Sequence, residues 1–303
     1  MKKILSTFAI VMTACVASAQ QEAMYTHYAF NTLSINPAYA GSREALTITA
    51  LHRSQWVGFK GAPTSQTVNL HAPIGEDMGV GLSVMHDKTG PVNATSVFAD
   101  YAYKIPLLTG KLSMGIKAGI DMFNIDLTQL TAIDAGDIAV ANYSKVNPNV
   151  GLGAHFATDK YFIGLSSPRL LPLRYYADNV SGFKSNEKIH AYLMGGYVFD
   201  INPKLQLKPI ALIKTTGAAP TQAELTGIAT LDKRLELGAM FRTGDAFGII
   251  AGFNFDNSLR IGYSFDWSYG INTGRYNAGS HEIVLRYDFI QGVKKKIVSP
   301  RNF

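Results

Sequence analysis

Large apolar residues alternate with polar or small residues through most of this chain, and the alternation is most regular between positions 234 and 267. A period of two residues is typical of a β-strand with one apolar face and one polar or small face. Asp256 and Asn257 form a tight-turn pair, which predicts a hairpin between the last two strands of this stretch. The three predicted strands of the stretch are 234–241, 247–255 and 259–267.

The same pattern continues along the chain and predicts fourteen strands. Asp100, Lys117 and Asp121 stand between apolar neighbours. Charged residues at such positions would be costly in the dry core of a sandwich, but they are natural in the wet lumen of a barrel. The predicted strands are 44–56, 64–74, 78–87, 94–106, 110–123, 148–157, 160–167, 187–200, 203–214, 221–231, 233–243, 246–256, 258–268 and 279–290.

The predicted connections alternate in length along the chain. Those after even-numbered strands are short, whereas those after odd-numbered strands are mostly longer, with 243–245 as the exception. Outer-membrane barrels have short periplasmic turns, longer extracellular loops and both termini in the periplasm. The alternation and the even strand count therefore predict an all-β fold, a membrane-spanning antiparallel β-barrel of fourteen strands.

The first nineteen residues have the features of a signal peptide. Two lysines precede an apolar run at 4–16, and a small-x-small site ends at Ala19, so we expect the mature chain to begin at Gln20. The apolar run is short for a membrane anchor, and the residues before Cys15 make a poor lipoprotein signal. Cleavage would remove Cys15, which is the only cysteine, and lower the formal charge from +6 to +4.

Composition agrees with a barrel and argues against other classes. The chain is 47% hydrophobic and only 17% charged, yet no later apolar run approaches the ~18–20 residues of a membrane-spanning helix. The lysines at 294–296 supply much of the positive charge, and a run of this kind is usually a solvated tail. Nucleic-acid binding is therefore not expected.

These observations divide the chain into a signal peptide (1–19), an N-terminal periplasmic or plug segment (20–42), an outer-membrane barrel (43–291) and a basic periplasmic tail (292–303). Asn-Pro and Ala-Gly pairs indicate that 20–42 is turn-rich. We expect this segment to pack in or under the periplasmic mouth. The tail is either a docking peptide or a disordered end.

No catalytic, phosphate-binding or dinucleotide motif is present, so we predict no enzyme activity and no cofactor. His71, His155 and His190 fall on strand faces that would share the lumen, but nothing fixes their number or geometry as metal ligands. We therefore predict no metal site.

Contacts with a partner protein are expected from long loops on a rigid scaffold, here 124–147 and 168–186, from the first extracellular loop and from the tail. A structural role as an interfacial girdle, a loop clamp or a lumen cap remains open for the loop residues. The candidate contacts are Arg53, Trp56, Lys60, Arg169, Arg174, Tyr175, Tyr176, Lys294, Lys295 and Phe303.

Several motifs resemble the PorP/SprF family of the Bacteroidetes type IX secretion system. The N-terminal motif at 30–41 (FNTLSINPAYAG) and the C-terminal motif at 296–303 (KIVSPRNF) are the most specific. The shorter motifs lie at 53–58, 61–64, 86–91 and 148–153.

The resemblance implies an outer-membrane component of type IX secretion and gliding. It implies a surface adhesin with a C-terminal sorting domain as the partner, and periplasmic peptidoglycan-associated secretion subunits and outer-membrane lipid as neighbours. The barrel would help to secrete the adhesin or hold it at the surface. The alternative is a transport barrel for small or hydrophobic solutes, because fourteen strands are wide enough for a channel or a ligand cavity. A hydrolase in the lumen or loops is a weaker third option.

Overall fold

The computed structural model describes residues 24–126, 143–172, 189–217, 219–269 and 278–290, and most of them belong to one antiparallel sheet. In this part of the chain, none of the helices is long and apolar enough to cross a membrane. The strands are β1 (Leu46–Ser54), β2 (Thr64–Ile74), β3 (Met78–Thr89), β4 (Val92–Leu107), β5 (Gly110–Ile125), β6 (Tyr143–Ala157), β7 (Tyr161–Ser167), β8 (His190–Tyr197), β9 (Phe199–Asn202), β10 (Leu205–Thr216), β11 (Ala219–Leu231), β12 (Leu235–Arg242), β13 (Ala246–Asn254), β14 (Leu259–Ser268) and β15 (Ser280–Phe289).

The sheet closes on itself because β1 pairs with β15 along its whole length, from Leu46 opposite Phe289 to Ser54 opposite His281. The segments β8 and β9 are separated only by Val198, and both pair with β10, so they form one barrel strand. The described residues thus make a closed barrel of fourteen strands, which confirms the predicted fold. Closure leaves no open strand edge.

Alternate residues face opposite sides of the barrel wall, as the sequence pattern predicts. On β2, the outward side chains of Val68 and Leu70 are exposed, whereas Asn69 and His71 between them are buried. Asp100 on β4 also points inward and is buried. The outer surface is therefore apolar and suited to lipid tails, and the inner surface is polar and charged.

The strand connections define two ends of the barrel. At the short-turn end, the connections between strands span at most four residues, as in 75–77 and 255–258. The other end, called the long-loop end here, carries the connections 55–63, 126–142, 168–189 and 269–279. Two connections that we expected to be long, 88–93 and 215–220, are shorter because β3, β4, β10 and β11 extend further; only residues 90–91 and 217–218 lie between the strands.

The turn at 255–258 shows how a short connection is held. The Asp256 carboxylate accepts hydrogen bonds from the backbone nitrogens of Leu259 and Ser258, both at 2.7 Å. These bonds lower the pKa of Asp256 below its usual range. The tight-turn pair at 256–257 therefore lies between β13 and β14, as predicted.

Outward-facing aromatic residues form a belt near each end of the wall. Near the long-loop end, the rings of Phe247 and Trp267 stack with their centroids 6.3 Å apart. Near the short-turn end, Tyr161 and Tyr197 stack at the same centroid distance. Such belts are typical of the two membrane interfaces of a barrel.

The chain ahead of β1 lies inside the barrel. This lumen segment comprises residues 24–42, and each residue from Met24 to Gly41 is buried. It contains one helical turn, α1 (Thr32–Ile35), followed by a 3-10 turn at Pro37–Tyr39. The sequence had suggested packing at the periplasmic mouth, but the segment extends through the lumen from one end of the barrel to the other.

Candidate functional site

The lumen segment and the inner wall together form the candidate functional site. Near the long-loop end, Glu282 on β15 accepts hydrogen bonds from the backbone nitrogens of Thr26 at 2.9 Å and His27 at 2.7 Å. The Thr26 hydroxyl donates to Asp266 on β14 at 2.6 Å. Arg53 on β1 donates to the same hydroxyl at 3.0 Å and pairs with both carboxylates. The wall thus binds the segment backbone through buried charges.

A second charged group holds the beginning of the segment. Arg242, the last residue of β12, donates to the backbone oxygen of Tyr25 at 2.5 Å and pairs with Glu224 on β11 at 2.6 Å. Lys214 on β10 lies 3.5 Å from the sulfur of Met24. Because these wall residues lie close to the long-loop ends of their strands, Met24 and Tyr25 are at that end as well.

Amide and hydroxyl groups hold the middle of the segment. Asn31 donates to the Thr67 hydroxyl at 3.0 Å and accepts a hydrogen bond from the side chain of Asn69. The Asn69 amide also donates to the Ser34 hydroxyl at 2.8 Å. Pairing both groups of the Asn31 amide avoids the cost of leaving a buried polar group unsatisfied.

Basic residues of the wall contact the segment on two other sides. Lys117 on β5 donates to the backbone oxygen of Leu33 at 3.3 Å while it pairs with Asp100 at 2.9 Å. Across the lumen, the Arg260 guanidinium on β14 lies over the ring of Phe30. Each contact places a buried cation against a group with negative electrostatic potential, which stabilises the segment inside the wall.

The end of the segment is fixed near the short-turn end. Gly41, with a φ of +66°, donates its N–H to His71 at 3.1 Å and accepts from Lys104 at 2.6 Å through its carbonyl oxygen. Arg43, just beyond the segment, makes a bidentate pair with Asp288 on β15 at 3.1 and 2.8 Å. The chain then enters β1 from this end of the barrel.

Glycines in the wall allow the segment backbone to approach closely. A Cβ atom at Gly115 would lie 2.2 Å from the nitrogen of Ala38, and one at Gly153 would lie 2.1 Å from the side-chain oxygen of Asn36. No real Cβ tolerates such contacts, so these positions require glycine while the segment is in place. The wall glycines next to the segment are Gly79, Gly81, Gly115, Gly153, Gly164 and Gly262.

Two of the predicted partner contacts turn inward. Arg53 is 2% exposed and belongs to the buried group around Thr26. Arg169 follows β7, and its guanidinium reaches back to Asp121 at 3.2 Å and to the Ser96 hydroxyl at 3.1 Å. Both side chains contact the inside of the barrel, and Arg169 reaches the inner face of β4 and β5 near the long-loop end.

The other described candidates lie in the first loop of the long-loop end. Trp56 is half-buried, has a φ of +47°, and its indole N–H donates to the Ser268 hydroxyl at 3.3 Å. Lys60 is exposed. The remaining predicted contacts lie outside the described residues: Arg174, Tyr175, Tyr176, Lys294, Lys295 and Phe303.

The predicted lumenal histidines are all buried and face inward. The ring of Tyr39 lies between His71 and His155, with edge-on contacts whose centroid distances are both 5.6 Å. Among the residues that the structure describes, no group of three or more histidine, cysteine or acidic side chains is arranged to hold a metal ion. His71 and His155 therefore pack against the segment.

A closed fourteen-strand barrel with an apolar outside and aromatic belts defines the class as an outer-membrane β-barrel protein. Residues 17–287 match the family "Type IX secretion system membrane protein PorP/SprF". The chain belongs to this family, and the resemblance seen in its motifs is confirmed.

Other comparisons give distant similarities. The outer membrane protein Omp33 of Acinetobacter baumannii is 9% identical, with a TM-score of 0.48, over 82% of this chain and 100% of that chain. The KdgM porin is 13% identical, with a TM-score of 0.40, over 80% of this chain and 99% of that chain. None of the curated proteins matches this chain.

Proposed function

We propose that this protein is a non-enzymatic barrel that binds a surface protein with a C-terminal sorting domain and helps to secrete or anchor it. Membership of a secretion-system membrane family supports a role with the secretion machinery and its cargo. The barrel supplies an anchor in the lipid, and its two ends supply separate contact surfaces. Periplasmic peptidoglycan-associated secretion subunits are the expected neighbours at the short-turn end.

The observation that carries this proposal is the occupied lumen. The segment from Met24 to Gly41 is buried and contacts wall residues around the barrel, from Arg53 on β1 through Lys117 on β5 to Glu282 on β15. A transport barrel needs a path for its solute, whereas a scaffold for protein binding does not. The filled lumen favours the scaffold over the porin alternative.

A gene-deletion experiment tests the proposal. Proteins released from intact cells by protease are compared between the wild type, the deletion strain and the deletion strain carrying the gene on a plasmid. We expect one or more proteins with a C-terminal sorting domain to disappear from the surface of the deletion strain and to return on complementation. Unchanged surface display of all such proteins would contradict the proposal.

Bilayer recordings separate this function from the alternative. The purified barrel, reconstituted in a planar bilayer, is expected to show no steady ion conductance, and an open porin of similar strand number serves as the positive control. Steady conductance by the wild-type protein would favour transport.

A further inference from the structure

A cluster of charged side chains lies on the inner wall near the short-turn end of the barrel. Each member on the wall is within the four residues of its strand that are closest to this end, and less than a tenth of each side chain is exposed. One further member, from the chain just ahead of β1, is equally buried. The members, called the basic cluster here, are Arg43, Lys208, Glu236, Arg260, Arg286 and Asp288.

The two carboxylates of the basic cluster already have cationic partners. Asp288 makes its bidentate pair with Arg43. Glu236 pairs with Arg260, and its other oxygen lies 3.7 Å from the Lys208 ammonium. The four cations thus share two anions, so two positive charges have no counter-charge within the cluster. A buried charge without a counter-charge is costly.

Some guanidinium donors of the cluster are also unbonded. The Nη2 atom of Arg260 pairs with Glu236, but its Nε and Nη1 atoms are buried and donate to no acceptor among the described residues. The Nε atom of Arg286 is also buried and unbonded, because the Asp288 oxygen is 3.9 Å away. Buried side-chain nitrogens normally donate hydrogen bonds, so these donors are available to a bound anion.

The two arginines with unbonded donors are neighbours. Arg260 on β14 and Arg286 on β15 are directly opposite each other in the strand register, where like charges repel. Both guanidinium groups lie near the ring of Phe30, with their central carbons 3.0 and 5.8 Å from its centroid. One anion between them would contact both arginines and offset their repulsion.

The lumen segment takes the other side of the barrel at this depth. Ala38 lies against Gly115 on β5, and Gly41 binds His71 on β2. The wall members of the basic cluster are instead on β10, β12, β14 and β15. The lower part of the segment therefore passes along β2–β6, and the unbonded donors face the lumen from the opposite part of the wall.

We propose that the basic cluster binds a small, doubly charged oxyanion of the phosphate or sulfate type between Arg260 and Arg286. A guanidinium group presents its N–H donors in a planar fork that fits the oxygens of such an ion. Two negative charges match the two positive charges that lack a partner. The ion also holds Arg260 over Phe30 and so stabilises the lumen segment. This site does not depend on whether the barrel binds a surface protein.

Equilibrium dialysis with radiolabelled inorganic phosphate tests the proposal on the full chain, purified in detergent and chloride buffer. We expect saturable binding to the wild type. Arg286→Gln leaves the pairs of Glu236 and Asp288 in place and should weaken phosphate binding by about tenfold, equivalent to about 1.4 kcal/mol. The matched control is Lys204→Gln, which removes an exposed lysine at the same end and should bind phosphate like the wild type.

Competing anions define the ligand. Unlabelled sulfate should displace labelled phosphate, whereas chloride and acetate at the same ionic strength should not, because each carries one charge. Phosphatidic acid in mixed micelles should not displace it either, because the donors face the lumen and not the lipid. Displacement by any of these three as readily as by sulfate would overturn the proposal.

Two further outcomes would also overturn the proposal: no saturable binding to the wild type, or equal binding to the wild type and Arg286→Gln. Heat-modifiable migration on gels shows whether each variant is folded. If the glutamine variant does not fold, Arg286→Lys keeps the positive charge but removes the planar fork, and it should still bind phosphate more weakly than the wild type. Wild-type affinity in a folded Arg286→Lys protein would then count against the site.

Discussion

Glu282 on β15 accepts two hydrogen bonds from His27 of the lumen segment, one from the backbone nitrogen and one from the ring Nδ1, both at 2.7 Å. The two residues are more than 250 positions apart in the chain, and both side chains are fully buried. The last strand therefore fixes the N-terminal part of the chain inside the barrel. Because β15 also closes the barrel against β1, closure and filling of the lumen depend on the same strand.

Replacing Glu282 with alanine should release the long-loop half of the lumen segment. The change removes the acceptor for Thr26 and His27 and leaves Arg53 with Asp266 as its remaining carboxylate partner. Breaking a buried charged contact of this kind costs roughly 3–5 kcal/mol. Hydrogen exchange should show faster exchange at residues 24–31, and equilibrium unfolding in lipid vesicles should show the loss of stability.

The matched control for this variant is Glu76→Ala, which removes an exposed carboxylate from the turn at 75–77. It should leave hydrogen exchange at residues 24–31 unchanged. It should also leave the free energy of unfolding within about 0.5 kcal/mol of the wild-type value. Equal effects of the two substitutions would contradict the role assigned to Glu282.

Adding a methyl group to the wall at Gly115 should displace the 3-10 turn of the segment. The new Cβ would lie 2.2 Å from the nitrogen of Ala38, so the backbone has to move. Gly115→Ala is expected to lower the free energy of unfolding by about 1–3 kcal/mol, the usual cost of overpacking.

The matched control is Gly227→Ala, on β11, where a Cβ would meet no atom within 4 Å. Denaturant unfolding of both variants in vesicles gives the comparison. A Gly115→Ala protein as stable as Gly227→Ala would mean that the segment does not press against the wall at this position.

Removing residues 24–42 should turn the barrel into a conducting pore. These residues occupy the lumen, and the wall that they leave behind is polar and charged. In planar bilayers we expect steady conductance from the deletion variant and none from the wild type. A shorter deletion of residues 24–31, which keeps the anchoring contacts of Gly41, covers the case in which the larger deletion does not fold. If both deletion variants fold but neither conducts ions, the lumen segment is not what blocks the barrel.

The turn at 255–258 should lose stability in acid. Hydrogen bonds from Leu259 and Ser258 lower the pKa of Asp256, so its carboxylate stabilises the folded turn above the unfolded pKa of about 3.9. This contribution is lost as the pH falls through the lower folded pKa. The difference in melting temperature between the wild type and Asp256→Ala should therefore shrink as the pH is lowered from 7 to 3. Asn257→Ala, which changes a neighbouring exposed residue of the same turn and removes no carboxylate, is the control and should show no such convergence.

The sequence was sufficient to predict the wall of the barrel, because the period of two residues records which side of a strand each side chain faces. Val68 and Asn69 could be assigned to opposite faces in this way, and the structure agrees. The two-residue alternation of apolar and polar side chains is least regular at the ends of strands. Arg53 and Arg169 lie at such places, so their inward orientation could not be distinguished from exposure on a loop.

The depth of the lumen segment could not be predicted for a different reason. Its position depends on contacts such as Thr26 with Asp266, which are 240 positions apart in the chain and leave no local pattern. Gly115 and Gly153 were a usable signal, because glycines at inward positions of long strands indicate close approach of another backbone.

Substitutions in the first loop of the long-loop end, residues 55–63, should distinguish protein binding from barrel stability. Trp56 ties this loop to the wall through Ser268 and Ser280, whereas Lys60 is exposed. Lys60→Glu should therefore leave the melting temperature unchanged but reduce recovery of sorting-domain proteins in pull-downs from detergent-solubilised outer membrane by about fivefold, equivalent to about 1 kcal/mol.

Two further variants make this comparison specific. Lys204→Glu, an exposed lysine at the short-turn end, makes the same charge change on the opposite face and should not alter recovery of the surface protein. Trp56→Ala should lower the melting temperature because it removes the indole contact with Ser268. If Lys60→Glu and Lys204→Glu reduce recovery equally, the loss comes from overall charge, and the first loop is not the contact surface.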